Sequence, residues 1–408
     1  MAAIIQLAHS SVPGGPVSDT SQIFGTTSAL TDGNGLNRQH RLYDLMGDGT
    51  THQITQAGRY NWVRNSGFWF AQRQVPGTAT TYSSTTGRAF TADGWAVTNE
   101  NASATYARVD AGSAPETGLQ ARYYGQFIKT TSTGKLCISQ VIENTDTVNL
   151  KNRFLRLQFM AKATTGTPVL KFAIMELSSA GTADTIPGTF ISAFNAGGTN
   201  PTFGTNLSFL TATSNGQDNA TVLSNVASAT LSTNWQRFGY CATVNNGSKN
   251  LVLVFFSDQG FTATNGFSIS QVTLTDGGER QDWTPLAFTE EYVRTARFYQ
   301  KSFPIDTGPV TGIGLISGEV YGMAGKAGAL ADFIPIRYLC QMRTTPTITL
   351  FNPAAANAQV RDVTAAADCT ASASAVSSTM GFLVTATGNA GSAVGNQLAI
   401  HHTSDAEL

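Results

Sequence analysis

Charge is the first thing this sequence is short of. Only 12% of its 408 residues are Asp, Glu, Lys or Arg, about half the roughly 25% usual for soluble domains. The 25 basic and 26 acidic side chains leave a formal net charge of −1. With no basic run, the chain lacks the electrostatic footprint that phosphate backbones demand, which excludes a nucleic-acid partner. Long apolar runs are also missing. The longest, Leu251–Phe256, falls far short of the roughly 20 residues of a membrane helix, so no membrane insertion is expected. Met1 to His9 has neither the basic region nor the apolar stretch of a secretory signal. The four cysteines, Cys137, Cys241, Cys340 and Cys369, have no C-x-x-C spacing. They read as free, mostly buried thiols of a protein made in a reducing cytosol. No repeat of solenoid period is found.

What is present is apolar content and hydroxyls. A hydrophobic fraction of 41% is ample for a core, and 40 glycines and 55 threonines supply turns and strands. A surface of Thr, Ser, Asn and Gln suits life inside a large assembly, or work on neutral, hydroxyl-rich partners. The length predicts two or three domains.

Residues 1–56 read as an attachment segment. The turn cluster Ser10 to Pro16 is followed by Leu42-Tyr43-Asp44-Leu45 and Gly47-Asp48-Gly49, a strand and an Asp-Gly hairpin turn. Large apolar residues are too few for an independent core, so this part is expected to fold against something else. Residues 57–288 read as short strands between polar turns. Leu155, Leu157 and Phe159 alternate with Arg156, Gln158 and Met160, and Phe238, Tyr240, Ala242 and Val244 keep one phase. Leu251 to Phe256 is the continuous run of a strand buried on both sides, and the phase slip between Ile269 and Val272 predicts a bulge. Many short strands with almost no helical period predict a mostly β protein built on an antiparallel sandwich. Residues 289–303 are expected to form a connecting helix, capped by Thr289, with Glu290 and Glu291 in its first turn and Pro304 as its stop. Residues 304–408 read as a small C-terminal β-domain, with Ile334, Ile336, Tyr338, Cys340 and Met342 alternating. Such a domain is more easily stabilised by oligomerisation than alone.

Three groups of residues carry a resemblance. Asn65-Ser-Gly-Phe-Trp-Phe-Ala-Gln-Arg73 followed by Phe90-Thr-Ala-Asp-Gly-Trp95 resembles the opening of jelly-roll modules in tailed-bacteriophage fibre and appendage proteins. Trp235-Gln-Arg-Phe238 is similar to their mid-domain strand. Gln271 to Gly277, Trp283-Thr-Pro285 and Glu290 to Lys301 resemble their closing strand and exit helix. The order is right across Asn65 to Lys301; Gly94 stands where Arg is common, and Arg297-Phe298 departs from the usual exit pattern. Ile4 to Leu7, Val12-Pro13-Gly14, Tyr43 and Asp48 are similar to the virion-anchoring start of phage tail-fibre proteins, and Phe333 to Ile348 resembles a β-domain often appended to such modules. The resemblance implies a jelly-roll β-sandwich like that of carbohydrate-binding modules, in a homotrimeric virion protein. It would be made in the host cytoplasm and partnered by other tail, neck or capsid proteins and by host polysaccharide. A capsid or neck decoration, or head-fibre protein without receptor binding, is the alternative, and a free carbohydrate-binding module or depolymerase component is a third.

Chemistry of other kinds has little to stand on. His9, His40, His52, His401 and His402 form no H-E-x-x-H and flank no nucleophile motif, and His401-His402 is expected in a polar tail. Glu290-Glu291 is explained by capping, not by the paired carboxylates of a glycosidase. Ser257-Asp-Gln-Gly260 has part of a sialidase Asp box but lacks its Thr-Trp and does not recur, so no enzyme is expected. Asp32-Gly-Asn34-Gly35 has too few oxygen ligands for a calcium loop. No cofactor and no metal ligands are therefore expected, although the resemblance to carbohydrate modules leaves a structural calcium open. Sugars need an exposed ring beside hydrogen-bonding side chains. The candidates are Tyr123, Tyr124 and Gln126, of which only one tyrosine can face a given side of a sheet. Trp69, Trp95 and Trp235 are expected to be structural.

Overall fold

Strand formation begins near the N-terminus, where β1 (Ile4–Gln6), β2 (Gln22–Gly25), β3 (Leu42–Leu45) and β4 (Thr51–Gln53) pair as an antiparallel meander. In this computed structural model, residues 1–59 are described only through these four strands. Residues 60–408 are described apart from 76, 84–85, 102, 113–115, 131–132, 214–217, 279, 316–317 and 329–330. β3 and β4 pair with Leu45 opposite Thr51, while the expected Asp-Gly turn between them lies outside the described residues. Tyr43 lies on β3, whereas Val12, Pro13, Gly14, Asp48 and the Asp32-Gly-Asn34-Gly35 turn lie outside the described residues. The chain divides into two units, Met1–Tyr60 and Asn61–Leu408.

The second unit opens with β5 (Thr80–Tyr82), β6 (Ala89–Phe90), β7 (Ala96–Asn99), β8 (Ala104–Asp110), β9 (Tyr123–Lys129) and β10 (Leu136–Ile142). A short α1 (Asn144–Val148) then leads to β11 (Phe154–Ala163) and β12 (Val169–Leu177). Small strands β13 (Ile191–Ala193), β14 (Thr202–Phe203), β15 (Leu207–Phe209), β16 (Thr211–Ala212) and β17 (Thr221–Leu223) precede β18 (Val226–Thr230), β19 (Gln236–Thr243), β20 (Asn250–Ser257) and β21 (Gly266–Asp276). One sheet has the order β16-β19-β11-β21-β9-β8-β5; the other is β17-β18-β12-β20-β10-β7-β6, with β15 also on β12. Successive strands β9 to β12, and again β19 to β21, alternate between the two sheets, the crossing pattern of a jelly roll.

The alternation read from the sequence decides what fills the space between the sheets. Leu155, Leu157 and Phe159 of β11 point inward, and the Phe159 ring stands edge-on 4.8 Å from both Phe172 and Phe255. All eight residues of β20 are buried because its outer side is covered too, with Phe203 of β14 6.2 Å from Phe256. The phase slip is a bulge: between Gln158 and Met160 of β11, the partner β21 carries an extra residue, and Gln271 takes a positive φ of 53°.

The helix is shorter than expected. α2 spans Phe288–Ala296; its N-cap is Ala287, and Thr289 caps nothing. Glu291 is buried and accepts a hydrogen bond from the Asn65 amide, so its carboxylate anchors a distant loop instead of capping. Beyond the helix, residues 299–301 become β22 (Tyr299–Lys301), because their backbone finds a partner in the last strand of the chain. The C-terminal strands are β23 (Val320–Met323), β24 (Ala331–Arg337), β25 (Thr347–Phe351), β26 (Arg361–Asp362), β27 (Ala367–Asp368), β28 (Ala371–Ala375), β29 (Gly381–Thr387) and β30 (Gln397–Asp405). The alternating strand ends at Arg337; the Gln300 side chain takes over the backbone of Leu339 and Cys340 and turns the chain away.

β30 is central, bonded along its length by β22, β23, β25 and β26. The pair His401-His402 is thus no polar tail: both residues are buried in this strand. His401 lies against the Phe303 ring at 4.1 Å, between the Ser302 hydroxyl at 3.0 Å and Glu319 at 3.5 Å, and His402 packs edge-on against Phe382 at 5.1 Å. The cysteines match expectation: all four are free, and only Cys340 is partly exposed.

The end of the chain is pinned to the sandwich by buried charge. The Glu407 carboxylate accepts from the Gly94 amide at 2.8 Å and lies 3.5 Å from both Arg64 and Arg73. Arg73 also meets Asp93 at 3.5 Å and Asp405 at 2.9 Å. Burial alone would lower the Arg73 guanidinium, but Asp405, Glu407 and Asp93 outweigh it and hold it above its ordinary value. Burial pushes the Glu407 carboxyl up, and the two arginines pull it back.

Two outcomes follow for stability. Removing one partner of a buried ion pair strands the other, so Glu407→Ala should cost about 3 kcal/mol, and Glu407→Gln less, by urea denaturation. Burial lowers the His402 imidazole to about 4. The unfolded chain therefore takes up a proton before the folded one. This contribution is complete above pH ~6.5 and is lost as pH falls from there to about 4, by roughly 3 kcal/mol. His402→Phe should flatten the pH dependence of stability across that window; an unchanged slope would show that the histidine is not its source.

Candidate functional site

The segment 65–73 and its partner 90–95 form one knot. The Asn65 side-chain carbonyl accepts from the Phe70 amide at 3.0 Å, and its amide donates to the Phe70 and Asp93 carbonyls. Gln72 donates from its backbone at 3.2 Å and from its side chain at 2.6 Å to the two Asp93 oxygens. Asn65 and Phe68 take positive φ values of 49° and 57° to close the turn. This throws the Phe68 ring into the core beneath Gly125 of β9, where a Cβ would lie 2.6 Å from the ring, so only glycine fits. The next side chain, Trp69, is thereby sent outward, beside Tyr123.

Three rings meet there. Trp69 and Tyr123 are half-buried, with centroids 5.6 Å apart, and Phe288 at the start of α2 is 49% exposed and 6.2 Å from Trp69. Two arginines flank Tyr123, with the Arg108 guanidinium 4.8 Å and that of Arg122 5.0 Å from its ring. Arg122 grips Asp110 with two hydrogen bonds, 3.2 and 2.9 Å long, and this fork holds the Asp110 carboxyl below the usual carboxylate range. Arg108 donates to the Trp69 carbonyl and pairs with the exposed Asp306 at 2.9 Å. The result is a surface platform of apolar ring faces bordered by charged hydrogen-bonding groups, a combination suited to ligands with both C–H faces and hydroxyls.

The other two candidates are not part of it. Successive strand residues face opposite ways, so Tyr124 and Gln126 lie on the other side of β9 from Tyr123. Tyr124 is buried against Trp235, with centroids 5.2 Å apart, and its hydroxyl donates to Glu116 at 2.9 Å. Glu116 also accepts from Trp235 Nε1 at 2.8 Å and from Lys162. Burial would raise its carboxyl, but these hydrogen bonds outweigh that and lower it. A ring closed off in this way cannot stack on a sugar. Gln126 is half-buried beside it. Trp95 and Trp235 are buried, as expected for structural residues, whereas Trp69 is half-exposed and joins the platform. Arg108, Arg122, Asp110, Asp306 and Phe288 went unread. Arg122 stands next to Tyr123 and could have been found; Asp306 and Phe288 come from so far along the chain that no local pattern marks them. Among the described residues no cluster of three or more His, Cys, Asp or Glu is arranged to hold a metal ion, and no helix is long and apolar enough to cross a membrane.

No family model and no curated protein matches the chain. Among solved structures it is similar to the enzymatically active domain of tailspike protein 4 of bacteriophage CBA120, with 14% identity and a TM-score of 0.27 over 53% of this chain and 21% of that one. It is similar to TmCBM61, solved with β-1,4-galactotriose, with 11% identity and a TM-score of 0.29 over 53% of this chain and 99% of that one. A putative sugar-binding protein from Bacteroides thetaiotaomicron aligns with 15% identity and a TM-score of 0.32, covering 53% of this chain and all of that one. The chain thus spans about a fifth of the tailspike structure. The two-sheet sandwich follows from the sheet order, in which successive strands alternate between the sheets.

Proposed function

We propose that this chain is a structural protein of a tailed-bacteriophage particle, a tail fibre or appendage, that holds host-surface glycans on the Trp69–Tyr123–Phe288 platform. The observation that carries the glycan reading is the grouping of three solvent-reaching rings between the Arg122–Asp110 fork and the Arg108–Asp306 pair. The virion reading is supported by the ordered motifs from Asn65 to Lys301 and by a separate N-terminal unit. In this reading residues 1–56 attach the chain to other virion proteins, the assembly is a homotrimer, and catalysis is no part of its work.

A stacked ring contributes about 0.5–1.5 kcal/mol beyond its buried area. Trp69→Ala and Tyr123→Ala should therefore each weaken binding to a glycan array or to susceptible cells by about tenfold, while Tyr124→Phe should leave it unchanged. Full-length protein silent toward every glycan and every susceptible cell would favour a decoration role instead. Sedimentation should give three chains per particle; a monomer at micromolar concentration would refute the trimer. Deleting residues 1–56 should abolish incorporation into particles, and retained incorporation would contradict the anchoring role.

A further inference from the structure

A second feature lies away from the platform and shares no residue with it. Where the C-terminal strands approach the sandwich there is a cleft of about 510 Å³. Its sheet side is built on β30 and the strands beside it. Tyr299, Asp405 and Thr347 stand in one row of the ladder, and Thr403 and Thr349 are neighbours in the next row on the same face. The hydroxyl-bearing Thr347 and Thr349 are exposed, and the half-buried rings of Phe90 and Phe351 also line the cleft.

Arg73 and Glu407, both half-buried, line it too. Arg73 Nη1 lies 3.5 Å from both Asp93 and Glu407 Oε1, and Glu407 Oε2 lies 3.5 Å from Arg64, so their charges are matched within the protein. The Glu407 side chain is only 1% exposed. The lining carries two carboxylates, Asp405 and Glu407, against one guanidinium already committed to both, which disfavours an anionic ligand. The volume is in the range of small-ligand sites.

We propose that this cleft is a second saccharide site, taking one uncharged pyranose unit whose hydroxyls meet Thr347, Thr349 and Asp405 and whose C–H face meets Phe90 or Phe351. It adds a contact point to the particle that does not depend on the Trp69 platform, so the two stand or fall separately.

Saturation-transfer NMR on the full-length chain tests it, with methyl α-glucoside, methyl β-galactoside and methyl α-mannoside as neutral probes and glucosamine and N-acetylneuraminic acid as charged ones. At least one neutral glycoside should receive saturation. That binding should become about tenfold weaker in the Thr347→Val/Thr349→Val double variant, which keeps the β-branched shape of the strand. It should persist in Trp69→Ala/Tyr123→Ala. Asp405→Asn, which retains size and one acceptor, should weaken it as well and serves if the threonine variant fails to fold. Transfer to none of the neutral glycosides, transfer to the charged sugars alone, or undiminished transfer in both the threonine and the Asp405 variants would overturn the proposal.

Discussion

Asp93 is the point on which the rest of the second unit hangs. Its carboxylate takes the backbone and side chain of Gln72 and faces Arg73; its own carbonyl is held by Asn65. Arg73 in turn reaches Asp405 and Glu407, and Glu407 returns to Gly94, the residue after Asp93. A loop, a β-hairpin turn and the last residues of the chain are thus tied together by a few buried charges. Buried ion pairs are not in themselves strong stabilisers, because desolvation offsets most of the attraction. Their effect here is positional: each carboxylate has few places where its charge is matched, so the segments bearing them have few places to go. Gly94 fits this geometry with a φ of +82°, a conformation a side chain would strain.

The platform is a by-product of the same constraint. Fixing Asn65 to Phe70 drives Phe68 under Gly125 and leaves Trp69 on the surface beside Tyr123. Glu291 accepts from the Asn65 amide and brings the start of α2 near, so that Phe288 completes the ring cluster. Helix, loop and strand edge contribute one ring each, and the knot beneath them sets their spacing. A cluster of rings assembled in this way is pre-organised, so a ligand stacking on it would be spared the entropy of ordering flexible side chains.

Much of the architecture was legible along the chain. Leu155, Leu157 and Phe159 announced an inward face, Leu251 to Phe256 a strand covered on both sides, and the slip at Ile269 to Val272 a bulge, because strand periodicity is a local property that burial simply reads out. The helix end and the fate of the histidines were not legible. Tyr299 to Lys301 could have continued α2 on local grounds, but pairing with β30 competes for the same backbone groups and wins. His401-His402 looked like tail because flanking polarity suggested solvent, whereas β30 is polar and yet central, flanked by strands from four parts of the chain.

The residue order alone determined the β class, the strand phases, the bulge and the sequence of segments from sandwich to helix to C-terminal strands, since each depends on neighbours a few positions apart. Only tertiary structure decided which tyrosine reaches solvent, that Trp69 is half-exposed beside it, and that Phe288, Asp110, Arg108 and Asp306 gather round them. The reason is distance along the chain. The groups that meet at the platform come from separate loops, a strand edge and a helix, and their convergence is set by sheet crossing and buried charge, which leave no mark in any local stretch of residues.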